Sequence, residues 1–354
     1  FDYGKYFIEL NFPSYNDEEY YLATSMSYDG KFILAGDSDG RLYFSNNFGN
    51  TWREIQLTEN DNKNYKPTSM SHDGKFMIAG IYGGRLYLSN DYGNTWSEIQ
   101  PAGDTNKNWL TTSMSHDGKF MLAGVYEGRL YFSNDYGNKW REIKPAGNYS
   151  GSWEITSMSH DGKFMLAAPV FGELYLSNDY GNTWKEIKPA GHIYKSWRTT
   201  SMSHDGKFML TGAYKGRLYL SNDYGTSWRE IQPAGDSDVS WLTTSISNDG
   251  KFMLAGVNGG RLYLSNDYGT SWKEIKPAGD KYWITTSMSH DGKFMLAGTF
   301  FGRLYFSNDY GNTWREIQPA GDYNKYWETT SMSHDGKFML AGVNGGRLYL
   351  SNDY

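Results

Sequence analysis

The chain has 354 residues, no Cys, 41 Gly, an aromatic fraction of 17% and a net charge of −6. Without Cys there is no disulfide framework, no thiolate metal site and no Cys nucleophile. The acidic balance argues against a broad basic face for nucleic acid, and no apolar run approaches the roughly 18 residues of a membrane span. Length alone suggests two or three domains of about 100–200 residues each, but an internal repeat replaces that expectation.

The chain opens with Phe1-Asp2-Tyr3-Gly4-Lys5-Tyr6-Phe7-Ile8-Glu9-Leu10, which aligns with the recurrent string Asn-Asp-Tyr-Gly-Asn-Thr-Trp-Arg-Glu-Ile further on. Eight units follow, each marked by Ser-Met-Ser-His-Asp-Gly-Lys-Phe or a close variant. They start near residues 25, 69, 113, 157, 201, 245, 287 and 331, at spacings of 44 residues with one of 42. Periods of about 40–50 residues belong to propeller blades or helical arrays. Each unit holds four short runs rich in Tyr, Phe, Met, Leu and Thr, punctuated by Asp-Gly, Gly-Gly or Pro-Ala-Gly, with no helical apolar spacing.

The third unit serves as the pattern. Strand A is expected over about Leu110–Ser115, strand B over Phe120–Gly124, strand C over Arg129–Ser133 with alternation through Leu130 and Phe132, and strand D over Trp140–Ile143. Four antiparallel strands per unit, repeated radially, make a β-propeller. The last unit stops at Tyr354, before any strand D. Residues 1–10 are therefore expected to complete the last blade, giving an all-β, single eight-bladed propeller over 1–354; an open solenoid is the alternative.

The turn between strands C and D reads Ser89-Asn90-Asp91-Tyr92-Gly93-Asn94-Thr95-Trp96, and it recurs with Asp135, Asp179, Asp223, Asp267 and Asp309, and with Asn47 in the first unit. It resembles the Asp-box, Ser-x-Asp-x-Gly-x-Thr-Trp, of sialidases, sortilin-type receptors, a photosystem assembly factor and some glycoside hydrolases. That resemblance implies a propeller and leaves function open. The six aspartates read as structural: a turn Asp accepts backbone N–H groups two residues on. One carboxylate per turn falls far short of the six to eight oxygens calcium takes.

The A–B turns place His72, His116, His160, His204, His290 and His334 around one face, on different blades and expected to be too far apart to share an ion. The opposite face, built from B–C and D–A loops, carries nearly all the differences between units, and a binding site is expected there. Its candidate ligand-binding residues are Trp109, Trp153, Trp197, Trp241, Trp283 and Trp327, which close the D–A loops, with Tyr82, Tyr126 and Tyr214 in the B–C loops. Arg129 and Arg217, which open strand C, complete the set. The Trp rings either stack on sugar or plug the seams between blades. The Arg side chains either bind an anion or pair with the Glu two residues after the turn Trp, such as Glu98 or Glu142.

No catalytic residue, metal or cofactor is expected. A sialidase likeness implies three Arg on a substrate carboxylate, a Tyr–Glu pair and an Arg-Ile-Pro motif; the chain has no Arg-Ile-Pro, and its Arg recur at the same place in the units. The singular acids Asp37, Asp39, Glu127 and Glu173 suggest no pair. The expected function is multivalent recognition of a glycan or protein, without nucleic acid or membrane insertion. An architectural subunit, as a homo-oligomer or in a larger assembly, is the alternative, and a sialidase-like hydrolase the second. The sequon Asn148-Tyr149-Ser150 points to an extracellular or surface-associated setting.

Overall fold

Asp-Gly at every A–B turn and Gly at every C–D turn reverse the chain at short intervals, and the β-branched and aromatic residues between them form strands. The computed structural model describes residues 6–10, 19–57, 64–148, 150–191, 195–276, 279–321 and 324–352. The sequon's Tyr149, the loop residues 192–194 and the terminal segments 1–5 and 353–354 lie outside them.

The described strands form eight four-stranded antiparallel blades. Blade 1 comprises Glu19–Met26, Ile33–Asp37, Leu42–Ser45 and Arg53–Ile55, and the order A-B-C-D repeats through blade 7. Blade 8 takes strands A to C from Tyr326–Met332, Met339–Gly346 and Leu348–Ser351, and strand D from Ile8–Leu10 at the other end of the chain. Ile8 faces Leu350 and Leu10 faces Leu348, so the outer strand of the last blade comes from the N-terminal segment.

Strands B and C depart from simple alternation. Met121–Val125 and Leu130–Ser133 are buried at every position, because each blade is covered on both faces by its neighbours. Tyr131 is therefore buried along with Leu130 and Phe132. In blade 3 only the outer strand D, Arg141–Ile143, shows exposed residues. Close approach of blades depends on Gly on strand B: a Cβ at Gly212 would lie 2.5 Å from the Cβ of Trp241 on the next blade.

Strand A lies innermost and starts earlier than the apolar pattern suggests. In blade 3 it spans Lys107–Met114, because Lys107 and Asn108 pair with Gly84 and Tyr82 of blade 2 before a register shift at Trp109. Single bridges such as Gly172 to Lys195 and Gly302 to Lys325 repeat this link between a B–C loop and the next blade. Around the axis, Thr hydroxyls join neighbouring blades: Thr111 to Thr156 at 2.9 Å, Thr199 to Thr244 at 2.8 Å and Thr24 to Thr329 at 2.8 Å. The last of these spans blades 8 and 1.

Candidate functional site

On the face of A–B and C–D turns, the side chains repeated from unit to unit serve the scaffold. Asp91 accepts from Thr95 N at 2.8 Å, from the Thr95 hydroxyl at 2.6 Å and from the Ser89 hydroxyl at 3.0 Å. The same bonds recur at Asp179, Asp223, Asp267 and Asp309, and Asp135 takes those from Lys139 N and Ser133. Burial alone would raise the Asp179 carboxyl; hydrogen bonds from Thr183 and Ser177 outweigh it and hold it below its ordinary value. The residue after each Asp adopts φ near +61° and lays its ring on the preceding blade, as Tyr180 does on Phe120 at 5.3 Å.

The histidines overturn the expectation that they stand apart. Strand A is innermost, so the A–B turns converge on the axis. Imidazole centroids lie 3.9 Å apart for His72–His116, 3.7 Å for His116–His160 and His160–His204, and 3.6 Å for His290–His334. Tyr28 stacks between His334 and His72 at 3.7 Å from each, and Asn248 occupies the place between His204 and His290 in the chain of contacts. Beneath the stack runs a closed circle of eight backbone hydrogen bonds, His72 N to His116 O and onward until Tyr28 N donates to His72 O. Burial, followed by the neighbouring imidazoles, lowers His72, His160 and His334 to about 4. Among the described residues no group of three His, Asp or Glu is placed to hold a metal ion.

On the opposite face, six of the candidate ligand-binding residues are withdrawn from the surface. Trp109, Trp153, Trp197, Trp241, Trp283 and Trp327 are each at most 2% exposed. They pack in the seams, Trp153 with its centroid 5.8 Å from that of Tyr175. Trp197, Trp283 and Trp327 donate Nε1–H to carbonyls of Gly172, Gly260 and Gly302 on the preceding B–C loops. They fix the loops and offer no ring to a ligand.

Tyr82, Tyr126 and Tyr214 are exposed on this face. Tyr214 lies under Arg198 and Lys215, each 5.5 Å from its centroid. Arg129 and Arg217 are engaged within their blades, Nε standing 3.6 Å from Glu142 and from Glu230 respectively; Arg217 also meets Asp236 and Asp238 at 2.8 and 3.0 Å. The sialidase-like arrangement of three Arg on one carboxylate is not formed by these side chains.

Two non-repeated features of this face escaped the residue pattern. Tyr282, Phe300, Phe301 and Tyr326 form an aromatic cluster between blades 7 and 8, with Phe300–Tyr326 at 4.0 Å and Phe301–Tyr326 at 4.2 Å. Within it Tyr282 is 52% and Phe301 58% exposed. On blade 4, a cavity of about 480 Å³ brings Glu173 together with Glu186, Tyr175 and Phe171. Glu173 was singled out as one of the singular acids that suggest no acid pair; its place beside Glu186 in this cavity depends on strand register. The signal that finds both features is departure from the repeat: Thr299-Phe300-Phe301 and Phe171-Gly172-Glu173 match no other unit.

No protein-family model matches the chain, and no curated protein matches it. Among solved structures, it is similar to YCF48 bound to D1 peptide, at 14% identity and a TM-score of 0.64 over 100% of this chain and 99% of that one. It is similar to the C-terminal WD40 domain of Sif2, at 12% identity and a TM-score of 0.74 over 99% of each chain. The Chaetomium thermophilum Sqt1 bound to the N-terminus of the ribosomal protein L10 aligns at 11% identity and a TM-score of 0.70, over 95% of this chain and 99% of that one. At these identities the likeness is one of fold, and the Asp-box likeness rests on the turn residues alone.

Proposed function

We propose that the protein is a non-enzymatic propeller that binds a protein segment on the face of B–C and D–A loops. The observation that carries this reading is the aromatic cluster of Tyr282, Phe300, Phe301 and Tyr326. It breaks the repeat and gathers large aromatic rings, two of them more than half exposed, on one sector of the rim. Exposed, clustered aromatics mark interaction sites because burying them on a partner releases water from large apolar areas. Two of the fold neighbours are described in peptide or protein complexes, which supports a protein partner over a glycan.

Panning a displayed library of random linear peptides on the full chain tests this. Enriched peptides are expected to lose binding to Phe301→Ser and Tyr326→Ser variants and to keep it for Tyr136→Ala on the opposite face. Peptides indifferent to the cluster, or hits confined to a glycan array, would overturn the protein reading.

A further inference from the structure

Blade 5 gathers three cations around its B–C loop that no other unit gathers. Lys195 stands two residues before the seam Trp197, Arg198 directly after it, and Lys215 within the B–C loop. The same positions hold Lys107, Leu110 and Glu127 in blade 3, and Val239, Leu242 and Gly259 in blade 6. The Arg198 guanidinium and the Lys215 ammonium each lie 5.5 Å from the centroid of Tyr214, which is 38% exposed. The Lys195 ammonium reaches the same loop, since a Cβ at Gly216 would stand 3.6 Å from its Nζ. Counter-charge is short. Arg198 meets Glu154 through one nitrogen at 3.3 Å, and its Nε is buried without a hydrogen-bond partner among the described residues. Among the described residues no carboxylate lies within ion-pair distance of Lys195 or Lys215. Lys215 also holds φ at +47°, in a place that Gly83, Gly259 and Gly345 take in blades 2, 6 and 8. This left-handed region disfavours a side chain, so blade 5 carries a cation where glycine is the easier residue.

We propose that this corner of blade 5 binds the phosphate monoester of a phosphorylated side chain on a protein partner. Three positive groups against the one carboxylate of Glu154 leave two positive charges uncompensated. Like charges gathered in one corner repel one another, and a bound anion removes that cost. A phosphate monoester brings about two negative charges at neutral pH and three acceptor oxygens, whereas a side-chain carboxylate brings one charge and two oxygens. Bonds from Arg and Lys to such oxygens are charge-assisted, and clustered cations are the usual recognition mode for phosphorylated segments. The exposed Tyr214 ring holds two of the cations by attraction to its face, so they are in place before the ligand arrives. Blade 3 reverses the device: Tyr126 is hydrogen-bonded there to Glu127, which repels an anion. That the phosphate arrives on a protein rests on the protein-binding reading; the anion site itself is testable without a partner.

The test titrates the full chain with N-acetyl-O-phosphoserine methylamide, read by phosphorus NMR, with the serine and aspartate analogues, inorganic phosphate and a sulfated disaccharide as competitors. The phosphoserine probe is expected to bind, more weakly as salt rises. The serine analogue is expected not to compete, and the aspartate analogue to compete about tenfold more weakly than the phosphoserine probe itself, the worth of a charged hydrogen bond. Lys215→Gly, which restores the residue of three sister blades, and Arg198→Leu, the residue of blades 3 and 6, are each expected to weaken binding about tenfold. Thermal unfolding checks that both variants keep the fold, and Phe301→Ser is expected to leave phosphoserine binding unchanged. No binding of the phosphoserine probe, equal competition by the aspartate analogue, or undiminished binding to either blade 5 variant overturns the proposal. Inorganic phosphate binding about tenfold more tightly than the probe would make this a site for the free ion, and a tighter sulfated disaccharide would make it a glycan site; either result overturns it. Failure of peptide panning alongside phosphoserine binding that needs Arg198 and Lys215 would reject the reading of the aromatic cluster and leave the anion site standing.

Discussion

Glu9 and Arg347 meet across the closure of the ring, Oε1 to Nε at 3.7 Å, while the other oxygen of Glu9 accepts from the Tyr349 hydroxyl at 3.2 Å. This repeats on strands from opposite ends of the chain the contact Arg303–Glu316 makes within one blade, where Tyr305 likewise donates to Glu316 at 3.2 Å. The apolar anchor beside it is Leu10, buried against Leu348 and Leu350. Leu10→Ala is expected to cost about 2–4 kcal/mol, as for a buried leucine, read from urea unfolding. Ile8→Ala, on the exposed side of the same strand, is expected to stay within about 0.5 kcal/mol.

The Thr belt around the axis predicts a stabilising substitution. Thr68, Thr112 and Thr200 have buried hydroxyls without a protein partner, and the residues that would face them on the preceding blades are Ala23, Pro67 and Ile155 where sister blades carry Thr. Ala23→Thr supplies the missing hydroxyl in a site whose equivalents already hold Thr. It is expected to raise stability by about 0.5–1.5 kcal/mol, the net worth of a hydrogen bond, measured by denaturant midpoint at unchanged slope. A fall in stability would show that the belt does not repeat in blade 1.

Blade number, strand order and closure were legible because Ile8-Glu9-Leu10 repeats the pattern of Arg315-Glu316-Ile317 and because the unit spacing holds along the chain. The surroundings of individual rings were not. A Trp such as Trp153 has an apolar body and a polar tip, and it reads alike in a seam or on a sugar platform; burial is a property of the neighbouring blade. His72 and His116 are 44 residues apart in sequence, and their contact depends on how tightly the inner turns converge, which no local pattern encodes. The Glu173–Glu186 approach needs the register of strands C and D, which only pairing supplies.

The turn aspartates predict a graded response to substitution. At blade 1 Asn47 already replaces Asp and makes the same two bonds, accepting from Thr51 N at 2.9 Å and donating to the Thr51 hydroxyl at 2.7 Å. Asp179→Asn is therefore expected to be nearly neutral. Asp179→Ala leaves Thr183 N and the Ser177 hydroxyl without their acceptor and is expected to cost about 1–3 kcal/mol. Thermal unfolding of the two variants distinguishes them, and equal losses would reject the hydrogen-bonding account.

The stacked imidazoles predict acid sensitivity in a defined window. His72, His160 and His334 titrate near 4 in the folded chain, because burial and the adjacent imidazoles disfavour the charged form. In the unfolded chain they titrate near the ordinary value of 6.5. Between these values the unfolded state binds more protons. The stability they contribute is therefore fully present above about 6.5 and falls as pH drops toward 4. Asp29, Asp73, Asp161, Asp291 and Asp335 soften the effect by favouring the charged imidazoles, yet burial and like-charge repulsion prevail. Asn248 marks a tolerated replacement, since its backbone N donates to His290 O at 2.8 Å within the same circle of bonds. A chain carrying His72→Asn, His160→Asn and His334→Asn is expected to unfold with a midpoint that changes less across this window than that of the parent. An equally steep decline would place the acid sensitivity elsewhere.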